Sequence, residues 1–168
     1  MKTIKLYNVL FPIWMLIMIP MTWIIVLPGN FIIDFLVLLV GCKLAHVEQG
    51  FQVSKKVILK TWIFGFLSDI IGSLLLLGLM MISSLLSITF LENAINDLCI
   101  NPFSNLLGFI IMMLILGFIG YLIYFFNLRF SFKKLSIDFD QKKRMALTLA
   151  ILTTPYFFLI PLDWIYHY

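Results

Sequence analysis

Thr61–Leu91 reads TWIFGFLSDIIGSLLLLGLMMISSLLSITFL, an apolar run that holds a single charge, Asp69. As one helix it would reach about 46 Å at ~1.5 Å per residue, against a hydrocarbon core of ~30 Å. No core helix of a soluble domain uses that much unbroken apolar surface. The run is therefore expected to cross a membrane, and it takes a carboxylate in with it.

The rest of the chain agrees. Of its 168 residues, 62% are hydrophobic, and the mean hydropathy is +1.09. A soluble protein needs polar groups for its exterior, whereas in a bilayer the solvent facing the helices is hydrocarbon. The reading is a single all-α transmembrane domain over residues 1–168. It is a multi-pass bundle of five helices, with spans at about 6–27, 31–45, 61–90, 106–126 and 145–165.

Particular residues set these boundaries. Leu27-Pro28-Gly29-Asn30 is read as a tight hairpin between spans one and two, because Pro and Gly favour a turn and Asn caps helices. From Phe51 to Lys60, Lys55, Lys56 and Lys60 share one face of a helical wheel, opposite Phe51, Val57, Ile58 and Trp62. That pattern suggests an amphipathic lead-in lying along the headgroups before span three. Leu91–Asn105, with its acids, asparagines and Pro102, reads as a loop. Pro155 falls inside span five, as membrane helices tolerate.

The charge pattern fixes an orientation. In the five-span arrangement all twelve Lys and Arg fall on one side, while Glu92, Asp97 and Asp163 fall on the other. Positive residues collect on the cytoplasmic side, so the N-terminus is expected in and the C-terminus out. The Ile, Leu, Phe and Lys bias suggests a bacterial cytoplasmic membrane.

Two carboxylates lie within expected spans. Asp34 shares an arc of span two with Asn30, Gly41 and Ala45, and is placed one turn below the outer surface. Asp69 shares a small, polar stripe of span three with Thr61, Gly65, Ser68 and Gly72, and is placed about 12 Å above the inner surface at ~1.5 Å per residue. An intramembrane acid costs ~2.5–3.5 kcal/mol on insertion scales, so it usually has a partner or a role. Tyr121, Tyr124, Asn127, Thr153 and Thr154 lie at the depth of Asp69 and are its candidate partners. On this reading Asp69 is protonated or fully hydrogen-bonded; if its role is structural, replacing it by leucine should cost roughly 1–2 kcal/mol in lost interhelical bonds, and if it is proton-linked, asparagine should fold normally yet abolish activity.

Catalytic signatures are missing. The chain has no H-E-x-x-H, C-x-x-C, G-x-S-x-G or P-loop motif. His46 and His167 are expected on opposite sides, as are Cys42 and Cys99, which argues against a shared metal or a disulfide. Asp34 and Asp69 are expected in opposite leaflets, which argues against an aspartyl pair. No cofactor or metal is expected, and no nucleic acid; the partners are membrane lipids, with a homo-oligomer or a larger membrane complex left open. The favoured reading is a non-enzymatic accessory, immunity or complex-subunit protein. The alternative is a small, oligomeric transporter or channel that uses Asp69 and Asp34 along a path between spans two and three.

Overall fold

The structure is a computed structural model and describes Met21 and residues 23–164, the side chain of Asp163 excepted. The span expected over residues 6–27 lies almost wholly outside them. The described chain is helical: α1 (Trp23–Leu44), α2 (Gly50–Leu85), α3 (Thr89–Ile100), α4 (Leu106–Phe126) and α5 (Phe139–Thr153). Alpha-helix α4 runs into a π-helical turn, Asn127–Ser131, and two 3-10 turns follow α5 at Tyr156–Leu159 and Leu162–Trp164. Three helices are long and apolar enough to cross a membrane: Trp23–Leu44, Gly50–Leu85 and Leu106–Ser131.

Helices α1 and α2 form an antiparallel pair, α4 packs on α2, and α5 closes the ring against α4 and α1. Leu38, Leu76, Met112, Ile119, Ile123, Met145 and Leu149 fill the centre and are fully buried. The outward faces expose Leu36, Val40, Leu67, Leu74, Leu114 and Phe118, a surface suited to hydrocarbon rather than water. Gly72 marks the tightest crossing: a Cβ there would lie 2.1 Å from Ile119 Cδ1. Small residues let helix backbones approach where lipid supplies no hydrophobic drive.

Both basic segments meet at one end of the bundle. Gln141 opens α5, accepts a 3.2 Å bond from the Asp138 backbone N–H at Oε1, and donates from Nε2 to Ala45 O and His46 O, 3.2 Å each. The first of these bonds is half of a capping box, which supplies partners to the unpaired N–H groups of a helix start. The turn between α1 and α2 is thus tied to the segment between α4 and α5. The opposite end carries α3 with Glu92 and Asp97. There Asn105 caps α4 by accepting from Leu107 N at 2.9 Å, and donates to Asp97 at 3.1 Å.

Four boundaries differ from the sequence expectation. Pro28 lies inside α1, so Leu27–Asn30 is helix and not a hairpin. Near a helix start Pro28 removes one backbone bond, and the Trp62 indole reinforces the turn by donating to Leu27 O at 2.9 Å. The expected headgroup lead-in is continuous with α2, whose 36 residues form one helix roughly 54 Å long. Its Ser54, Val57, Ile58 and Thr61 are buried against the bundle, so its apolar side faces protein.

The expected loop at Leu91–Asn105 is mostly α3, with Ala94, Ile95 and Leu98 buried at helical spacing. The expected fifth span breaks at its middle, because α5 ends at Thr153. Three hydroxyls take over its last carbonyls: Thr153 donates to Leu149 O at 2.8 Å, Thr154 to Ala150 O, and Tyr156 to Ile151 O at 2.8 Å. Pro155 has no N–H for the Ile151 carbonyl, so the helix stops where its acceptors are already satisfied. Beyond the break the chain continues to α3, on which the second 3-10 turn packs.

Candidate functional site: a cavity between two aspartates

Because α1 starts at Trp23, Asp34 sits near its middle, roughly 15 Å from either end. Asp69 sits near the middle of α2. The two carboxylates are therefore not in opposite leaflets. They line one cavity of about 130 Å3 with Asn30, Ile33, Gly65, Phe66, Leu152, Thr153, Thr154, Pro155 and Phe157. Each aspartate is 6% exposed.

Each wall follows from its helix. Asn30 and Asp34 are four residues apart and share a face of α1. On α2, Gly65 and Asp69 do the same, and a Cβ on Gly65 would stand 3.4 Å from Asp34 Oδ2. The glycine lets the Asp34 carboxylate lie against the α2 backbone. The third wall is the break in α5, which turns Thr153 and Thr154 toward the aspartates and inserts Pro155 and Phe157. Both threonine hydroxyls spend their protons on their own helix, so their oxygens face any guest as acceptors.

Among the described residues no Lys, Arg or His lines the space, the one salt bridge is Lys143–Asp140, 3.8 Å, and Asp69 Oδ1 has no hydrogen-bond partner. Full hydrogen bonding of Asp69, expected from sequence, is not what the fold provides. Of its candidate partners, Thr153 and Thr154 line the cavity. Tyr121 and Tyr124 instead line a separate groove between α4 and α5. Asn127 is fully buried on the π turn and donates to Ile123 O at 2.9 Å. Phe66 and Phe157 form walls that their sequence context does not mark. Asn30 lines the cavity beside Asp34, on the arc that their spacing in the sequence gives them.

Oxygen ligands in a small apolar enclosure suit a proton or a desolvated cation. At ~30 Å3 per water the cavity holds about four waters. The separation expected between the two acids, which had argued against an aspartyl pair, is absent from the fold. Two carboxyl groups lining one such space, without a cationic side chain among the described residues, are stable together when one or both carry a proton or when a cation is bound. Comparison with protein-family models, curated proteins and solved structures gives no match, so the chemistry of the cavity has to be read from its own residues.

Proposed function

We propose that the chain is a small proton- or monovalent-cation-linked transporter or channel of a cytoplasmic membrane, with Asp34 and Asp69 as its ion site. One observation carries this reading: two mid-helix carboxylates on adjacent apolar helices line a single cavity whose other described lining residues offer neutral oxygens and no basic group. Intramembrane acids that face a bundle interior mark ion paths and proton relays. A helix broken at the same level is the device by which transporters offer backbone and hydroxyl oxygens to an ion. The gathering of basic residues at one end supports that end as cytoplasmic, in keeping with five crossings, the N-terminus in and the C-terminus out.

Proteoliposomes loaded with a pH-reporting dye test the idea. Wild-type vesicles should move protons, alone or with an imposed Na+ or K+ gradient, and Asp34→Asn and Asp69→Asn should each abolish the flux while remaining folded. Flux equal to that of empty vesicles, together with no Na+, Li+ or K+ binding by calorimetry, would remove the proposal.

The accessory-subunit reading has its own support. An open apolar groove of about 440 Å3 runs between α4 and α5, lined by Met113, Gly117, Gly120, Tyr121, Leu147 and Tyr156 among others. Nothing stands within 4 Å of a Cβ built on Gly117, so a helix from a partner could pack closely there. Cross-linking from a photoreactive residue at Leu147 in native membranes discriminates the two: a single protein adduct favours the subunit reading, and lipid adducts alone oppose it.

A further inference from the structure

A second constellation lies away from the aspartates, at the basic end of the bundle. Lys60, Ile63 and Phe64 of α2, with Phe130, Lys133 and Lys134 after α4, enclose an open groove of about 390 Å3. The three lysines are exposed. Among the described residues no carboxylate lines the groove, and the one salt bridge is elsewhere. The floor is aromatic: the Phe64 ring stacks on Phe130 with centroids 5.4 Å apart, and Phe126 stands 5.4 Å away on its other contact.

The groove sits where charge gives way to hydrocarbon. Lys60 is the last charge on α2 before Asp69, and Ile63 and Leu67 just beyond it are exposed. The apolar run of α4 ends at Phe126, and Lys133 and Lys134 follow within two turns. Three ammonium groups over an aromatic floor match an amphiphile with an anionic head. Lysine ammoniums, as mobile point charges, gather around a phosphate without needing a fixed fork geometry.

We propose that this groove binds an anionic phospholipid from the leaflet at the basic end. Its phosphate sits among Lys60, Lys133 and Lys134, and its first acyl carbons lie against Ile63, Phe64 and Phe130. The site is independent of the aspartate cavity, and its occupancy would hold α2 to the end of α4.

Native mass spectrometry of the full chain in mild detergent tests this, with phosphatidylglycerol and phosphatidylcholine of matched chains as probes. Phosphatidylglycerol should be retained in preference to phosphatidylcholine. Each Lys→Gln change at Lys60, Lys133 or Lys134 should weaken that retention about fivefold. The triple Lys→Arg variant should retain it, and Lys55→Gln with Lys56→Gln, which removes charge from the same end but outside the groove, should leave it unchanged. Equal retention of the two lipids, or unchanged retention in the triple Lys→Gln variant, would overturn the proposal. So would displacement of the lipid by glycerol 3-phosphate or inorganic phosphate, since the groove would then serve a soluble anion. The lysines are exposed, so these variants fold; a melting temperature equal to wild type in the absence of added lipid checks it.

Discussion

Replacing Asp69 by leucine separates the two meanings an intramembrane acid can have. If Asp69 held helices together, leucine would destabilise the fold. The structure points the other way, because among the described residues no side chain or backbone group pairs with Asp69 Oδ1, and the carboxyl group lines the cavity instead. Interhelical hydrogen bonds in membranes average only ~0.6 kcal/mol, so little is lost by removing a side chain that makes none at that oxygen. Leucine has as many side-chain heavy atoms as aspartate, and the adjoining cavity of about 130 Å3 accepts its bulkier methyl groups. Asp69→Leu should therefore stay within ~1 kcal/mol of wild-type stability, while eliminating ion flux. Asp69→Asn keeps the shape and tests the charge alone. The assay is reversible unfolding in bicelles alongside flux in proteoliposomes. A loss above ~1 kcal/mol for leucine would show that Asp69 is a structural bond-former, and the reasoning from the orphaned oxygen would fail.

Other expectations can be checked more directly. Gly72→Ala should destabilise by ~1–3 kcal/mol through overpacking, because its Cβ would collide with the fully buried Ile119; adding Ile119→Ala should recover part of that loss, and strict additivity in a chemical-denaturation cycle would contradict the contact. Gln141→Ala should lower stability by about 1 kcal/mol in a thermal melt, since it breaks the capping box and the bonds to Ala45 and His46. Spin labels at Gln52 and Met81 should lie about 43 Å apart along one straight α2; a much shorter distance would restore a bend at the headgroups. Single cysteines at Lys134 and Asn96 in a cysteine-free background should label from opposite faces of right-side-out vesicles, and labelling from one face would exclude the proposed topology.

Much of the architecture was legible because apolar length and charge placement are direct consequences of the bilayer. The helical class, the apolar core of α2, the bounds of α4 and the meeting of the basic segments all follow from residues that must avoid or reach water. Amphipathic periodicity was read on Lys55–Lys60 but overlooked on α3, where Ala94, Ile95 and Leu98 carry the same signal among distracting asparagines. For the lead-in, periodicity placed Val57 and Ile58 on the buried face, while Phe51, expected on the same face, is exposed. It did not say whether protein or lipid covers that face, and Ser54, Val57 and Ile58 turn out to face the bundle.

The candidate site was hidden by two prolines read the wrong way round. Pro28, flanked by Gly29 and Asn30, looked like a chain break, yet the helix passes through it. Pro155, embedded in an apolar run, looked tolerable, yet it ends α5. What decides each case is whether nearby side chains take over the backbone groups. Beside Pro28, among the described residues, no hydroxyl bonds the carbonyls, and a Trp62 bond from α2 secures the turn. Around Pro155, Thr153, Thr154 and Tyr156 satisfy three successive carbonyls from their own side chains. The consequences for Asp34 and Asp69 are large. A break at Pro28 would leave Asp34 in the first turn of a helix, near water, with Asp69 far below it. Continuity through Pro28 moves Asp34 to mid-helix, beside Gly65, and the interruption at Pro155 opens the third wall of the cavity. The paired acids thus depend on helix geometry that no local composition around either aspartate encodes.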